Sequence, residues 1–227
     1  MEGERVSCAD REVKGVQVLT VMCVLRSGGI YTPEWVRKLR DAVERNIVGR
    51  HKFVCLSDVE VPCERIDLAV DWPSWWGKIA MFRPGVIDGP TLYFDLDTVI
   101  TGPVDPNVPH DFAMLQSFWK EDMVGSGVMW FSGQNVPHNV YTKFVKQPKA
   151  YMAHYERNKD GPYVGDQAFI HDTLNKDVPT INDHLPGIKS YKMHCHRRLP
   201  ADARIICFHG VPRPSEVKTE WMEKHWR

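Results

Sequence analysis

Two aspartates, Asp95 and Asp97, follow a run of apolar, β-prone residues from Thr91 to Phe94. Such a run is typical of a buried strand, and an unpaired charge is costly inside an apolar core. The acids are therefore expected at the carboxyl end of the strand, the edge at which open α/β sheets bind ligands. Because side chains two residues apart on a strand point the same way, the pair is placed to reach one hard cation, directly or through water. Carboxylate oxygens suit Mg²⁺ or Mn²⁺.

The segments before this strand are typical of an α/β protein. Residues 16–25 form an apolar, β-prone run, and Thr32-Pro33-Glu34 is a helix start, with Thr at the N-cap and Pro at the first helical position. Apolar residues then repeat at helical spacing as far as Ile47. Further strands are predicted at 53–56 and 65–70. This strand–helix–strand order predicts a mostly parallel sheet flanked by helices, with right-handed crossovers.

The rest of the chain continues in the same style, and it contains no internal repeat or linker. The predicted elements are a short helical segment at 78–82, strands at 112–116, 128–131 and 204–208, and helices at 138–156 (interrupted near Pro148), 165–174 and 216–227. We therefore predict a flexible leader over residues 1–15 and a single domain over residues 16–227.

Composition restricts the class of function. The 29 basic and 29 acidic residues cancel, which argues against nonspecific nucleic-acid or membrane binding as the main task. No apolar stretch approaches the roughly 18–20 residues of a membrane-spanning helix, so no membrane span is expected. The six cysteines show no CxxC spacing, which predicts a reducing, cytoplasmic compartment.

Several motifs resemble those of one enzyme family. Residues 93–98 (Tyr-Phe-Asp-Leu-Asp-Thr) resemble the DxD motif of nucleotide-sugar-dependent glycosyltransferases with the GT-A fold. Residues 208–210 and 212–214 (Phe-His-Gly and Pro-Arg-Pro) are similar to the C-terminal His-Gly…Lys-Pro signature of glycosyltransferase family eight, although arginine stands where lysine is usual. Residues 165–167 (Gly-Asp-Gln) resemble the Asp-Gln motif of that group, and residues 76–82 its lysine-containing helix. The motifs occur in the order found in the family.

The chain is short for family eight and resembles more closely the compact glycosyltransferase-like proteins of bacteria and phages. The resemblance implies a single-domain, GT-A-like (Rossmann-like) fold. It also implies metal-dependent transfer of a sugar from a nucleoside diphosphate sugar, a UDP-sugar with retention of configuration, to a hydroxyl group. A saccharide, a protein hydroxyl and a hydroxymethylated DNA base are all open as acceptors. A phage protein would act in the host cytoplasm.

The resemblance also implies roles for individual residues. Asp95, Asp97 and His209 would bind a Mn²⁺ or Mg²⁺ ion that bridges the donor diphosphate, and Asp166 and Gln167 would be catalytic residues at the donor sugar. A Gln amide is too poor a nucleophile for a covalent intermediate. The acceptor would instead attack the front face of the sugar, and the leaving phosphate would take the proton of the acceptor. Such a reaction needs only positioning and electrostatics. The predicted donor-binding residues are Lys78, Asp95, Gly210 and Arg213. Tyr31 and Thr32 are added to them by position, because they follow the first strand.

The acidic pair also fits a second class of enzyme. An apolar strand followed by DxDxT is the nucleophile motif of haloacid-dehalogenase-type phosphatases, in which Asp95 would attack phosphorus and Asp97 would be the acid and base. That motif normally lies near the start of its domain, whereas a strand–helix–strand unit precedes it here. A third alternative is a non-catalytic binder of sugar nucleotides.

Ordinary structural roles remain open for several of these residues. Asp166 is in a position to cap a helix, and Lys78 to lie on a solvated helix face. Tryptophans 72, 75 and 76 either stack on a ligand ring or pack in the core. The glycines of Gly125-Ser126-Gly127 either admit a ligand or form a tight turn. The basic stretch 189–198 is a solvated loop or a contact for a phosphate-bearing acceptor.

Overall fold

The computed structural model describes residues 18–157 and 164–227, so the predicted leader lies outside the described residues. The strands, in chain order, are β1 Leu19–Leu25, β2 His51–Ser57, β3 Glu64–Asp67, β4 Thr91–Phe94, β5 Thr98–Ile100, β6 Phe112–Gln116, β7 Val124–Phe131, β8 Ile188–Ser190 and β9 Ile205–Cys207. The α-helices are α1 Pro33–Asn46, α2 Asn139–Phe144, α3 Pro148–Tyr155, α4 Gly165–Thr173 and α5 Glu220–His225. No helix in these ranges is long and apolar enough to cross a membrane.

The central sheet has six strands in the order β3-β2-β1-β4-β7-β6. Strands β1 to β4 are parallel, and β7 runs antiparallel to both β4 and β6. Residues of α1 pack on one face of the sheet, while the 3₁₀-helical segment Ser74–Phe82, α2 and α4 pack on the other. The predicted α/β architecture, a mostly parallel sheet flanked by helices, is therefore confirmed.

The apolar run that contains Asp95 and Asp97 is divided between two sheets. Strand β4 ends at Phe94, a turn closed by the Thr98 amide donating to the Asp95 carbonyl (3.0 Å) follows, and β5 joins a small sheet in the order β5-β9-β8. The acids therefore lie on a turn and not on a strand, so strand alternation does not set their directions. The turn gives these backbone groups hydrogen-bond partners and keeps both carboxylates at the edge of the sheet.

Other differences from the predicted elements have simple local causes. The segment around Lys78 is a 3₁₀ helix of nine residues, Ser74–Phe82, and not an α-helix. The predicted interruption near Pro148 separates α2 from α3, because proline begins the second helix. Strand β8 and the π-helical turn Tyr191–Cys195 were not predicted, because a three-residue strand is too short to show periodicity.

Candidate active site

The turn between β4 and β5 lies at the carboxyl edge of the central sheet, as predicted. The amide of Asp95 donates to the carbonyl of Gly127 (2.9 Å), which ties the turn to β7. Because β7 is antiparallel to β4, its first residues lie at the same edge as the end of β4. The Ser74–Phe82 segment and the start of α4 pack against this edge, so side chains distant in sequence meet around the two acids.

A buried ammonium group is the centre of the site. Lys78 is 5% exposed, and its Nζ lies 2.8 Å from Asp95 Oδ1 and 3.0 Å from Asp166 Oδ2. It also donates to Ser126 Oγ at 2.8 Å. Burial alone would lower the pKa of Lys78, but the carboxylates of Asp166 and Asp95 outweigh burial and raise it. Lys78 is therefore a charged residue shared by two acids, and it does not lie on a solvated helix face.

Asp166 is held by two groups on the same oxygen. Its Oδ2 accepts hydrogen bonds from Ser126 Oγ (2.6 Å) and from the Lys78 ammonium. The N-cap of α4 is Val164 and makes no side-chain cap, so Asp166 does not serve as the cap. Gln167, beside it, places Oε1 3.8 Å from the position of a Cβ on Gly125. The predicted sugar-side residues therefore face the first residues of β7.

Asp95 has a second partner that the sequence analysis missed. The hydroxyl of Tyr93 donates to Asp95 Oδ1 at 2.6 Å, and a Cβ on Gly127 would lie 3.4 Å from Asp95 Oδ2. The nearness of Tyr93 to Asp95 in the sequence was a usable signal, because a tyrosine at the end of a strand can reach an acid on the turn that follows. Burial, followed by the charge of Asp95, raises the pKa of the Tyr93 hydroxyl, which keeps it a hydrogen-bond donor.

Asp97 is 6% exposed and receives a hydrogen bond from the hydroxyl of Tyr31 on its Oδ2 (2.7 Å). Burial and then the nearby charge of Asp95 raise the pKa of Asp97 to about 7, although the Tyr31 hydrogen bond and the charge of Lys78 oppose the rise. Burial, followed by the charge of Asp97, also raises the pKa of Tyr31. Asp97 is thus an acid whose charge is only partly compensated by its neighbours.

The three carboxylates share one arrangement. Asp95 is anchored through Oδ1, and Asp97 and Asp166 are anchored through Oδ2. No side chain in the described ranges donates a hydrogen bond to the other oxygen of any of them. One oxygen of each acid therefore fixes its orientation, and the second is available for a ligand.

The pair Asp95 and Asp97 fits a divalent cation whose coordination shell is completed by a bound ligand. The charge of Asp95 contributes to the raised pKa of Asp97, and a cation that compensates both negative charges stabilises such a pair. Within the described ranges, no three His, Cys, Asp or Glu side chains are close enough to hold an ion by themselves. Mg²⁺ is commonly held by one or two carboxylates together with substrate phosphates and water. The residues present therefore suit an ion that arrives with a phosphate-bearing ligand.

The predicted residues of the C-terminal motif follow β9, the middle strand of the small sheet. The Nε2 of His209 is 2.7 Å from Ser190 Oγ. Burial, followed by the charge of Lys192, lowers the pKa of His209, and the charge of Asp95 opposes the decrease. Gly210 is exposed with φ +74°. The Nε of Arg213 is buried and has no hydrogen-bond partner in the described ranges.

Not every predicted residue contacts this network. Thr32 is the N-cap of α1 and is exposed, with no side-chain cap, so its contact with a nucleotide stays a prediction. Trp76 is fully buried, and its Nε1 donates to Glu156 (2.6 Å), which gives it a core role. Trp72 packs against Tyr141 and Phe144. Residues 125–127 lie within β7 and do not form a turn.

Trp75 is the one of the three clustered tryptophans that stays exposed, at 44%. Its Nε1 lies 2.8 Å from the position of a Cβ on Gly165, whose φ is +71°. We expect Gly165→Ala to lower the free energy of unfolding by about 1–3 kcal/mol, chiefly because an L-residue is strained in the left-handed region. Thermal melting measures the change. The control is Gly29→Ala, where a Cβ meets nothing within 4 Å, and equal melting temperatures of the two variants would contradict the prediction.

Comparisons with known proteins agree on the fold. No protein-family model and no curated protein matches this chain. The apo glycosyltransferase GlyE of Streptococcus pneumoniae TIGR4 has a TM-score of 0.59 at 13% identity, and the alignment covers 92% of this chain and 59% of GlyE. The chain thus spans less than two thirds of GlyE.

Two further structures have the same architecture. The galactosyltransferase LgtC, solved with donor and acceptor sugar analogues, has a TM-score of 0.55 at 10% identity. The alignment covers 86% of this chain and 88% of LgtC. The apo bifunctional glycosyltransferase WbbM has a TM-score of 0.60 at 10% identity, with 93% of this chain covering 51% of it. At such identities the likeness establishes the predicted GT-A-like fold alone.

Proposed function

We propose that this protein is a glycosyltransferase that moves a sugar from a nucleoside diphosphate sugar to a hydroxyl group. The observation that carries the proposal is the buried ammonium of Lys78, which orients Asp95 and Asp166 while Asp97 lies beside them at the ligand-binding edge of the sheet. The folds of GlyE, LgtC and WbbM and the motif resemblance both support this function.

The metal-binding part of the proposal concerns three residues. Asp95 and Asp97 would hold Mn²⁺ or Mg²⁺ through their unanchored oxygens, and His209 is the proposed third ligand. When bound, such an ion stabilises the negative charge that grows on the diphosphate as the sugar bond breaks. His209 would give up its contact with Ser190 to take this role. Arg213 would grip diphosphate oxygens through its planar guanidinium.

The sugar-binding part rests on Asp166 and Gln167. Asp166 Oδ2 is fixed by Ser126 and Lys78, so Oδ1 is the oxygen that would orient sugar hydroxyls or stabilise positive charge at the anomeric carbon. In the proposed reaction the bond from the anomeric carbon to the diphosphate oxygen breaks, a bond to the acceptor oxygen forms, and the acceptor proton passes to the leaving phosphate. Gln167 would lie beneath the anomeric carbon without attacking it.

Several finer features belong to the proposal as well. The donor base is proposed to be uracil and the configuration to be retained, and the chain is proposed to be related to family eight and to compact bacterial and phage glycosyltransferase-like proteins, all from the motif resemblance. Tyr31 and Thr32 are proposed nucleotide contacts because they follow β1. The acceptor is a saccharide, a protein hydroxyl or a hydroxymethylated DNA base. A single domain over residues 16–227 and a reducing cytoplasm complete the proposal.

Donor binding gives the direct test. We expect a UDP-sugar with Mn²⁺ to raise Tm, because a ligand at about 100 times its Kd adds about 2.7 kcal/mol to the native state. For a chain of this size the rise is roughly 5–10 °C. Thermal melting should be run with UDP-, GDP-, ADP- and CDP-sugars, each with Mn²⁺, with Mg²⁺ and with EDTA. EDTA should remove most of the shift.

Two outcomes would favour other functions, and a third would change only the stereochemistry of the proposed reaction. Phosphate release from p-nitrophenyl phosphate, with no turnover of any sugar nucleotide, would support the phosphatase alternative. Tight donor binding with neither transfer nor hydrolysis would support a non-catalytic binder. A product with inverted anomeric configuration in the NMR spectrum would contradict retention and leave glycosyl transfer in place.

A further inference from the structure

One cationic residue beside the candidate site is not used by the buried network. Lys192 lies in the π-helical turn Tyr191–Cys195, and its Nζ is 3.7 Å from the position that a Cβ on Gly210 would take. Lys192 is exposed, and none of the ion pairs found in residues 18–157 and 164–227 includes it. An ammonium group without a carboxylate partner thus stands directly beside the Gly210 backbone.

A buried serine fixes this position. Ser190 is fully buried, and its Oγ caps the π-helical turn by accepting a hydrogen bond from the Met193 amide at 3.2 Å. The same Oγ is 2.7 Å from His209 Nε2. One hydroxyl therefore ties the turn that carries Lys192 to the residue before Gly210. These hydrogen bonds hold the backbone turn that carries Lys192 next to the C-terminal motif.

A second cationic residue, Arg213, follows Gly210 by three residues. Arg213 is half-buried, its Nε has no hydrogen-bond partner in the described ranges, and none of the ion pairs there includes it. Gly210 itself is exposed, with φ +74° and no side chain to shield its backbone. An ammonium beside an open glycine and a guanidinium three residues further along the chain, neither paired with a carboxylate in the described ranges, are complementary to a molecule that carries several negative charges.

We propose that Lys192 is a phosphate-binding residue of this site, whose ammonium contacts the diphosphate of the donor at the Gly210 turn. The inference rests on the proposed function and extends it to a residue of the basic stretch 189–198, outside the motifs that resemble the glycosyltransferase family. The diphosphate would then span from the acidic turn at Asp95 to Gly210. Lys192 acts on the phosphates as a point charge and makes no contact with the base.

Calorimetric binding in the presence of Mn²⁺ tests the inference. The probes are UDP, uridine and inorganic pyrophosphate, and the variants are Lys192→Ala and the control Lys189→Ala. Lys189 lies three residues earlier and is paired with Asp202 at 2.6 Å. We expect Lys192→Ala to weaken UDP and pyrophosphate about tenfold or more, as for the loss of a charge-assisted hydrogen bond. Uridine should be unaffected, and Lys189→Ala should stay within about twofold of wild type.

Each result separates this inference from the proposed function. Unchanged UDP affinity in Lys192→Ala, or an equal loss for UDP and uridine, overturns the role of Lys192 while donor binding by the wild type stands. A second result is that the wild type binds pyrophosphate but no nucleoside diphosphate, and that Lys192→Ala weakens the binding of pyrophosphate. This result overturns the proposed donor and supports the phosphate contact of Lys192. A wild type that binds none of the probes contradicts both.

Discussion

Replacing Lys78 by methionine should lower the free energy of unfolding by about 3–5 kcal/mol, because removal of one partner leaves buried charges uncompensated. The ammonium is the partner of both Asp95 and Asp166, and Ser126 loses its donor at the same time. Urea denaturation at pH 7 measures the change. Donor turnover should be lost as well, because the two carboxylates lose the group that orients them.

An exposed lysine provides the matched control. Lys52 pairs with Glu64 at 3.7 Å with both side chains about half exposed, and such pairs contribute about 0–1 kcal/mol. Lys52→Met should therefore leave stability nearly unchanged. Similar losses in the two variants would show that Lys78 fills space and is not a charge partner.

Replacing Asp97 by asparagine should have opposite effects on stability and on function. A carboxyl with a pKa of about 7 in the folded protein, against about 3.9 when unfolded, disfavours the native state once it ionises. Asparagine removes this charge and still accepts from Tyr31, so we expect about 1–3 kcal/mol of added stability at pH 8. Metal-dependent donor binding and turnover should fall about 100-fold or more, because a carboxylate contact to the cation is gone.

The pH dependence provides an internal check. Below about pH 4 the acid is protonated in both states, so wild type and Asp97→Asn should unfold with equal free energies. The difference should grow as pH rises from 4 to 7 and level off above. Asp183→Asn, at an exposed position, should show no such trend. Equal stability of Asp97→Asn and wild type at pH 8, measured without metal, would contradict the conclusion that the negative charge of Asp97 is only partly compensated in the folded protein.

The sequence predicted the elements whose pattern is local. The apolar run from Thr91 to Phe94 predicted β4, Thr32-Pro33 predicted the start of α1, and Pro148 predicted the break between α2 and α3. It also predicted that Asp95 and Asp97 lie where β4 ends, at the carboxyl edge of the sheet. Each of these features depends on residues within a few positions, where steric limits and burial act directly on the chain.

The partners within the site were not predicted, because they depend on how strands pair. Ser126 meets Asp166 only because β7 runs antiparallel to β4 and begins at the active edge. Lys78 is buried only because the Ser74–Phe82 segment packs beneath that edge. Strand order leaves no mark in the nearby sequence, so Lys78 was predicted as a donor-binding residue but not as the shared partner of Asp95 and Asp166.

The turn from Asp95 to Asp97 is also the three-residue connection between the two sheets. Lys78 and Asp166 lie on the side of the large sheet, and His209 follows β9 of the small one. A ligand that contacts the acidic turn and His209 together bridges the seam between these sheets. Binding of such a ligand therefore stabilises the contact between the two sheets as well as filling the site, because a ligand that binds only the native state adds to its stability.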